Sequence, residues 1–189
     1  MNNLPNILTL LRILLVPIYA FFFYLEVSWG LLAATIVYGL AGFTDWLDGY
    51  LARRLNQTSA LGAFLDPVAD KFMVAVALIL LVDQNPTDFS GVYMSIAAVI
   101  IIGREITISA LREWMAGIGA RNSVAVSMIG KVKTTAQMFA IGFLTYGVDL
   151  WGLPIATIGF SLLWLAVILT LWSMIDYIRA AWPQLISAG

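Results

Sequence analysis

Long apolar stretches separated by short polar breaks constrain this chain more than any other feature of its sequence. Apolar side chains make up 61% of the 189 residues and charged side chains only 11%, and the mean hydropathy is +0.92. One soluble core of this size would leave much of that apolar surface in water. Stretches of about 18 or more apolar residues can cross roughly 30 Å of hydrocarbon as helices. The sequence therefore predicts an integral membrane protein.

The predicted fold is an all-α bundle of about six transmembrane helices, forming one domain over residues 1–189. No internal repeat or long linker divides the chain. The absence of cysteine excludes disulfides and thiol chemistry. The predicted spans cover residues 7–25, 31–53, 62–82, 92–113, 132–148 and 153–176.

Charged residues are distributed unequally between the two ends of the predicted helices. The segments 24–30, 82–91 and 146–153 contain acidic residues but no Lys or Arg, and all ten basic residues lie at the opposite ends or inside the spans. Basic flanking segments stay in the cytoplasm, so an even number of spans places both termini there. We expect a protein of the bacterial inner (plasma) membrane whose basic side faces the cytoplasm.

Two pairs of aspartates interrupt this apolar chain in the stretch TDWLDGYLARRLNQTSALGAFLDPVADK, residues 44–71. Asp45 and Asp48 are three residues apart on the second span, and Asp66 and Asp70 are four apart on the third, so each pair shares a helical face. The short turn between the spans predicts that these two helices are antiparallel neighbours. We therefore expect the four carboxylates to meet near the cytoplasmic boundary of the membrane.

Four neighbouring carboxylates repel one another unless protons or cations neutralise them. Oxygen ligands without His or Cys favour Mg²⁺ or Mn²⁺, and two ions held together suit phosphoryl transfer. Gly49, Ala52 and Gly62 leave space for a ligand, and Arg53 supplies a cation for phosphate oxygens. A lone Asp at a membrane boundary would more simply be a solvated helix cap, but four at these spacings favour a metal site.

The spacing of this segment resembles the signature of a known family. Read from Asp48, the sequence is DG, two residues, AR, eight residues, G, three residues, D, three residues and D, with Asp45 as a preceding aspartate. This pattern is similar to that of the CDP-alcohol phosphotransferase family. The resemblance implies a membrane-embedded, typically dimeric enzyme with six transmembrane helices, which moves a phosphatidyl or similar group from a CDP-linked donor to an alcohol and releases CMP.

The same resemblance implies roles for the residues of the motif. Asp70 looks like the general base that takes the proton of the acceptor hydroxyl, although the residues leave open whether it ligates metal, takes the proton or does both. The ligands of two Mg²⁺ or Mn²⁺ ions would be Asp45, Asp48, Asp66 and Asp70. The residues bordering the nucleotide and diphosphate would be Asp48, Gly49, Arg53, Ser59 and Gly62.

Basic residues of the fourth and fifth spans could form an anion pocket for the phosphate of an acceptor. Arg104 lies well inside its span and needs a polar cavity or a counter-ion, while Glu105 is adjacent in sequence but is expected to point elsewhere. Arg112 follows two turns later, and Lys131 and Lys133 open the fifth span. Alternatively, Arg104 forms a structural ion pair, Arg112 snorkels to the boundary, and both lysines are positive-inside flanks.

Three further segments, NLPNILTLLRILLVP, GREITISALREWMA and GKVKTTAQMFA, resemble the branch of the family that forms phosphatidylglycerophosphate. This resemblance implies CDP-diacylglycerol as donor, sn-glycerol 3-phosphate as acceptor, membrane lipid as surroundings and a homodimer. No nucleic-acid partner is expected.

Two other functions fit part of the pattern. The same chemistry could use inositol phosphate, serine or phosphatidylglycerol as acceptor, although the basic residues favour a phosphorylated acceptor over serine. A divalent-cation transporter could line its path with aspartates, but such a path needs polar groups through the full membrane depth. The opposite halves of the second and third spans contain LLAATIVYGL and FMVAVALILL, which favours a one-sided active site.

Overall fold

The protein is a bundle of six helices in a computed structural model that describes residues 4–55, 60–119 and 128–187. Within these ranges the side chains of residues 4–6, 48–55, 60–64, 66, 128–129, 131, 185 and 187 are not described. The helices are α1 (Leu4–Phe23), α2 (Gly30–Leu55), α3 (Ala60–Gln84), α4 (Gly91–Gly117), α5 (Met128–Tyr146) and α6 (Ile155–Ser187).

The predicted all-α membrane fold is confirmed, with one helix for each predicted span. Among the residues that the structure describes, three segments are long and apolar enough to cross a membrane, Gly30–Leu47, Gly91–Gly117 and Ile155–Gln184, and α1 adds the shorter apolar stretch Ile7–Phe23. Large apolar side chains such as Phe21, Val99 and Ile168 cover the outer surface of the bundle, as expected where lipid rather than water is the solvent. That residues 1–189 form a single domain stays a prediction.

Short connections at one end of the bundle join the helices into three hairpins. The amide of Gly147, which has a φ of 66°, donates to the carbonyl of Phe143 at 2.9 Å and closes the end of α5. In the α3–α4 connection, the Asn85 side chain donates to the Phe89 carbonyl and accepts from Thr87. These turns fix which helix ends lie together, and they leave the other end of the bundle for the candidate site.

Helix α1 packs against both α2 and α3, and its contact with each is more extensive than the contact between α2 and α3 in the described residues. The predicted contact between the second and third spans is present in the described residues of α2 and α3, and α1 lies against both of these helices. Small buried residues explain the arrangement, because Ala34 and Ala41 on α2 and Ala77 on α3 allow close helix packing. The residue that links α1 to α2 at the candidate site is Arg12.

Polar side chains lie inside the bundle as well as apolar ones. Tyr19 and Thr145 share a 2.9 Å hydrogen bond between their buried hydroxyls, which ties α1 to α5. Hydrogen bonding of this kind compensates the cost of removing a hydroxyl from water. The apolar core around this bond includes Leu78, Leu81, Met94, Ile101, Ile141, Leu144, Leu163 and Val167.

A glycine on α6 allows this helix to pack closely against α5. A Cβ atom at Gly159 would lie 3.0 Å from the backbone nitrogen of Leu144 and 3.0 Å from Cβ of Phe143. Because a backbone atom is one of these neighbours, the helices would have to separate to admit a side chain. Gly39 on α2 is a matched contrast, since a Cβ there would have no heavy atom within 4 Å.

We predict that Gly159→Ala lowers the thermal stability of the protein in detergent, whereas Gly39→Ala maintains or raises it. Both changes gain about 1 kcal/mol of helix propensity, but only the first incurs an overpacking cost of about 1–3 kcal/mol. Thermal unfolding should separate the two variants by about 3 °C or more. Equal unfolding temperatures would contradict the close packing of α5 on α6.

Candidate active site

A cavity at the end of the bundle opposite the hairpin turns is lined by residues of the first five helices. It lies towards the ends where α1, α3 and α5 begin and where α2 and α4 finish. Three carboxylates and three basic side chains line it, together with polar residues of α5. The lining residues used below are Arg12, Asp45, Asp70, Lys71, Glu105, Lys133, Thr134 and Gln137.

Asp45 and Asp70, from the two halves of the aspartate motif, line this same cavity. Asp45 forms an ion pair with Arg12, and the distance between Arg12 Nη1 and Asp45 Oδ1 is 2.7 Å. Arg12 is 1% exposed, whereas the Asp45 side chain is 49% exposed. The buried guanidinium therefore contacts one oxygen of the Asp45 carboxylate, while the carboxyl group remains accessible from the cavity.

The other predicted residues of the motif lie outside the part of the chain whose side chains the structure describes. Asp48, Gly49 and Arg53 fall in the last turns of α2, and Gly62 and Asp66 in the first turns of α3. Ser59 lies in the interval between the two helices, which is not described. Their assignment to the metal ions, the nucleotide and the diphosphate remains a prediction.

Glu105 is a central residue of the cavity, and the expectation that it points away from Arg104 was wrong. Its Oε1 accepts from Lys133 Nζ on α5 and from Arg104 Nη1, the latter at 3.2 Å. Lys133 is 2% exposed, so its ammonium needs such a counter-charge inside the bundle. Glu105 thus joins α4 to α5 at the wall of the cavity.

Arg104 is directed mainly towards α6 rather than into the cavity. Its Nη2 donates to Ser173 Oγ at 2.9 Å, and its guanidinium lies 5.5 Å from the centre of the Tyr177 ring. Arg112 is exposed further along α4 and does not line the cavity. Of the four predicted acceptor-binding residues, the structure brings Lys133 into the cavity; the side chain of Lys131 is not described.

The described residues fit a hard divalent cation by type but do not form a complete site. Carboxylate oxygens are the ligands that Mg²⁺ and Mn²⁺ prefer, and the chain has neither His nor Cys. Among the described residues, no group of three or more acidic, His or Cys side chains is close enough to hold an ion. The three described carboxylates of the cavity are matched by three cations, so an excess of negative charge would come from Asp48 and Asp66.

Several residues of the cavity were not among the sequence-based candidates. Arg12 carries a usable signal, because it is the one charged residue in the sequence of the largely apolar helix α1, and a charge inside such a helix needs a partner. Glu105 and Lys71 each follow a candidate residue directly in sequence. Helical periodicity alone does not show which residue of two such neighbours enters the cavity. Gln137 follows Lys133 by one turn and so shares its face of α5.

Comparison with known proteins agrees with the aspartate motif. The family model described as CDP-alcohol phosphatidyltransferase matches residues 2–172. The chain is 48% identical over 184 residues to proteins of Shigella flexneri serotype 5b (strain 8401), Escherichia coli (strain K12) and Escherichia coli O157:H7. Each is named CDP-diacylglycerol–glycerol-3-phosphate 3-phosphatidyltransferase, and each alignment covers 97% of this chain and 97% of the relative.

The family match extends over most of the chain and includes α1 to α5 with all the cavity residues described above. The full-length relatives cover the same helices at an identity that places them well within one family. The six-helix membrane fold, the spacing of the aspartates and these similarities agree, and the chain belongs to the CDP-alcohol phosphatidyltransferase family.

Proposed function

We propose that this enzyme transfers the phosphatidyl group of CDP-diacylglycerol to sn-glycerol 3-phosphate and produces phosphatidylglycerophosphate and CMP. The observation that carries the proposal is the cavity in which Asp45, Asp70 and Lys133 meet, in a chain nearly half identical to enzymes named for this reaction. Such a cavity offers carboxylates for metal and proton transfer beside a cation for a phosphorylated acceptor.

Dependence on divalent metal is a general property of the family. In this chain, Asp45, Asp48, Asp66 and Asp70 would hold two ions, of Mg²⁺ or Mn²⁺. When bound, the ions would stabilise negative charge on the diphosphate and on the departing CMP. Arg12 has a supporting role, because its ion pair with Asp45 fixes the orientation of that carboxylate.

The chemical step requires a base for the acceptor hydroxyl. Asp70 would take this proton as the hydroxyl oxygen forms a bond to the β-phosphorus of the donor. The bond between that phosphorus and the bridging oxygen of CMP would break, and CMP would leave with the electron pair. Gly49, Arg53, Ser59 and Gly62 would border the nucleotide and diphosphate, with Arg53 as a cation for phosphate oxygens.

The acceptor phosphate would bind beside α5. Lys133 forms an ion pair with Glu105. When the acceptor phosphate binds, it would replace Glu105 as the anionic partner of Lys133, so the ammonium would stay paired throughout. Lys131 would supply a second cation from the same helix end. Arg104 and Arg112 stay candidates for this pocket. Arg104 would contribute through Glu105, which it contacts together with Lys133.

We also propose that the enzyme lies in the bacterial inner membrane as a homodimer, with its active site facing the cytoplasm. The acidic residues Glu26, Asp83, Asp88 and Asp149 flank the hairpin turns, and the cavity lies towards the opposite ends of the helices, where the basic residues are concentrated. The positive-inside rule orients that end towards the cytoplasm, where soluble glycerol 3-phosphate would enter.

The proposed reaction predicts CMP release only with the correct acceptor. Purified protein in detergent, given CDP-diacylglycerol and Mg²⁺ or Mn²⁺, should release CMP with glycerol 3-phosphate but not with inositol phosphate, serine, phosphatidylglycerol or no acceptor. Asp70→Asn should reduce the rate by about a hundredfold or more, because the base is lost. Release with another acceptor alone would contradict the proposed substrate, and metal flux into liposomes without CMP release would favour a transporter.

The metal assignment predicts a shift in metal dependence. Asp45→Asn and Asp66→Asn should each raise the Mn²⁺ concentration needed for half-maximal CMP release and lower the maximal rate, because each removes a charged oxygen ligand. Asp149→Asn, in the connection between α5 and α6 at the other end of the bundle, is the matched control. An unchanged metal response in Asp45→Asn and Asp66→Asn, in folded protein, would contradict the metal site.

The acceptor pocket predicts an unequal effect on the two substrates. Lys131→Ala and Lys133→Ala should each raise the apparent KM for glycerol 3-phosphate by about tenfold and change the KM for CDP-diacylglycerol much less, because a phosphate contact is lost. Steady-state kinetics with each substrate varied in turn measures both constants. Equal changes in the two KM values would remove the lysine concerned from the acceptor pocket.

A further inference from the structure

Gln137 is a buried polar residue of the cavity for which the proposed chemistry has no role. It lies on α5 and lines the same cavity as Asp45 and Asp70, and it is 4% exposed. Its carbonyl oxygen Oε1 has no hydrogen-bond partner among the residues that the structure describes. A buried acceptor without a donor is unfavourable, and native structures contain few of them. A donor supplied by a ligand would satisfy it.

The neighbours of Gln137 indicate which ligand could supply that donor. Lys133 precedes it by four residues, so the two side chains lie about 6 Å apart along one face of α5. The hydroxyl of Thr134, which also lines this cavity, already donates to the Gly130 carbonyl at 2.9 Å. This face of α5 therefore presents a cation for a phosphate and, one turn away, an unfilled acceptor for a hydroxyl.

We propose that Gln137 Oε1 accepts a hydrogen bond from the acceptor hydroxyl that does not attack the donor, which makes Gln137 a specificity-determining residue. This inference rests on the proposed function. Glycerol 3-phosphate has a phosphate, a primary hydroxyl that would react, and a C2 hydroxyl that needs a partner once water is excluded. Gln137 satisfies the C2 hydroxyl, and the C2 hydroxyl satisfies Gln137. A site of this kind rejects an analogue that lacks the hydroxyl, because the protein oxygen is then left unpaired.

The analogue that tests the proposal is 3-hydroxypropyl phosphate, which keeps the phosphate and the primary hydroxyl but lacks the C2 hydroxyl. The wild-type enzyme should show a kcat/KM for glycerol 3-phosphate at least about tenfold above that for the analogue. In Gln137→Met, which keeps the length of the side chain but removes the acceptor, this ratio should fall to about one. The ratio should fall because kcat/KM for glycerol 3-phosphate decreases, while kcat/KM for the analogue stays unchanged within about twofold.

Two further measurements distinguish this role from a structural one. Gln137→Met should unfold at the wild-type temperature or above it, because no intramolecular hydrogen bond of Oε1 is lost, and Gln137→Leu serves as a second apolar variant if the first does not fold. Gln84→Met, on an exposed glutamine at the other end of α3, should keep the wild-type ratio.

Equal losses with both acceptors, or a wild-type enzyme that does not discriminate between them, would overturn the proposal. Absence of CMP release by the wild type with glycerol 3-phosphate would overturn the proposed function itself, and this inference with it.

Discussion

Charged groups inside an apolar bundle have to be compensated by their neighbours, and the ion pair of Arg12 with Asp45 is the clearest case in this protein. A guanidinium that is 1% exposed would be very costly in this position without an anionic partner. The pair joins α1 to α2, and it fixes one carboxylate of the aspartate motif at the cavity. The same requirement explains why Lys133 and Arg104 both contact Glu105, and the pair of Lys133 with Glu105 joins α5 to α4 at the cavity. The architecture of the site is therefore a set of balanced charges supported by an apolar, lipid-facing exterior.

This balance also limits what the described residues can do alone. Three carboxylates with three cations leave no net charge to attract a divalent ion, and the additional aspartates of the motif, Asp48 and Asp66, would supply it. A substrate with a phosphate and a diphosphate brings further negative charge, which Lys133 and the metal ions would offset. In such a site, binding of metal, donor and acceptor should be strongly coupled, because each one changes the charge that the others encounter.

Much of the fold was predictable from the sequence, because long apolar runs can satisfy their backbone groups in a membrane only as helices. The six helices and the position of the polar end follow from hydropathy and from the distribution of Lys and Arg. The neighbours of each helix did not follow: the insertion of α1 beside both α2 and α3 depends on the size of side chains such as Ala34 and Ala77. A hydropathy pattern does not contain that information.

The candidate site was predictable to the extent that its residues belong to a spaced motif. Asp45 and Asp70 lie on one cavity as their spacing indicated. The contacts of Arg104 with Ser173 and Tyr177 could not be derived, since they depend on how α6 packs against α4. The direction of Glu105 was predicted incorrectly because it depends on the position of Lys133 on α5. That Gln137 Oε1 has no hydrogen-bond partner among the described residues likewise depends on how the helices pack around it.

The central claim is that the aspartates of the motif hold divalent ions at this cavity. Anomalous diffraction from crystals of the protein grown with Mn²⁺ and CDP-diacylglycerol tests it most directly. The account predicts two manganese peaks within bonding distance of the carboxylates of Asp45, Asp48, Asp66 and Asp70. Manganese bound elsewhere, or no manganese at these aspartates in crystals that contain the nucleotide, would contradict it.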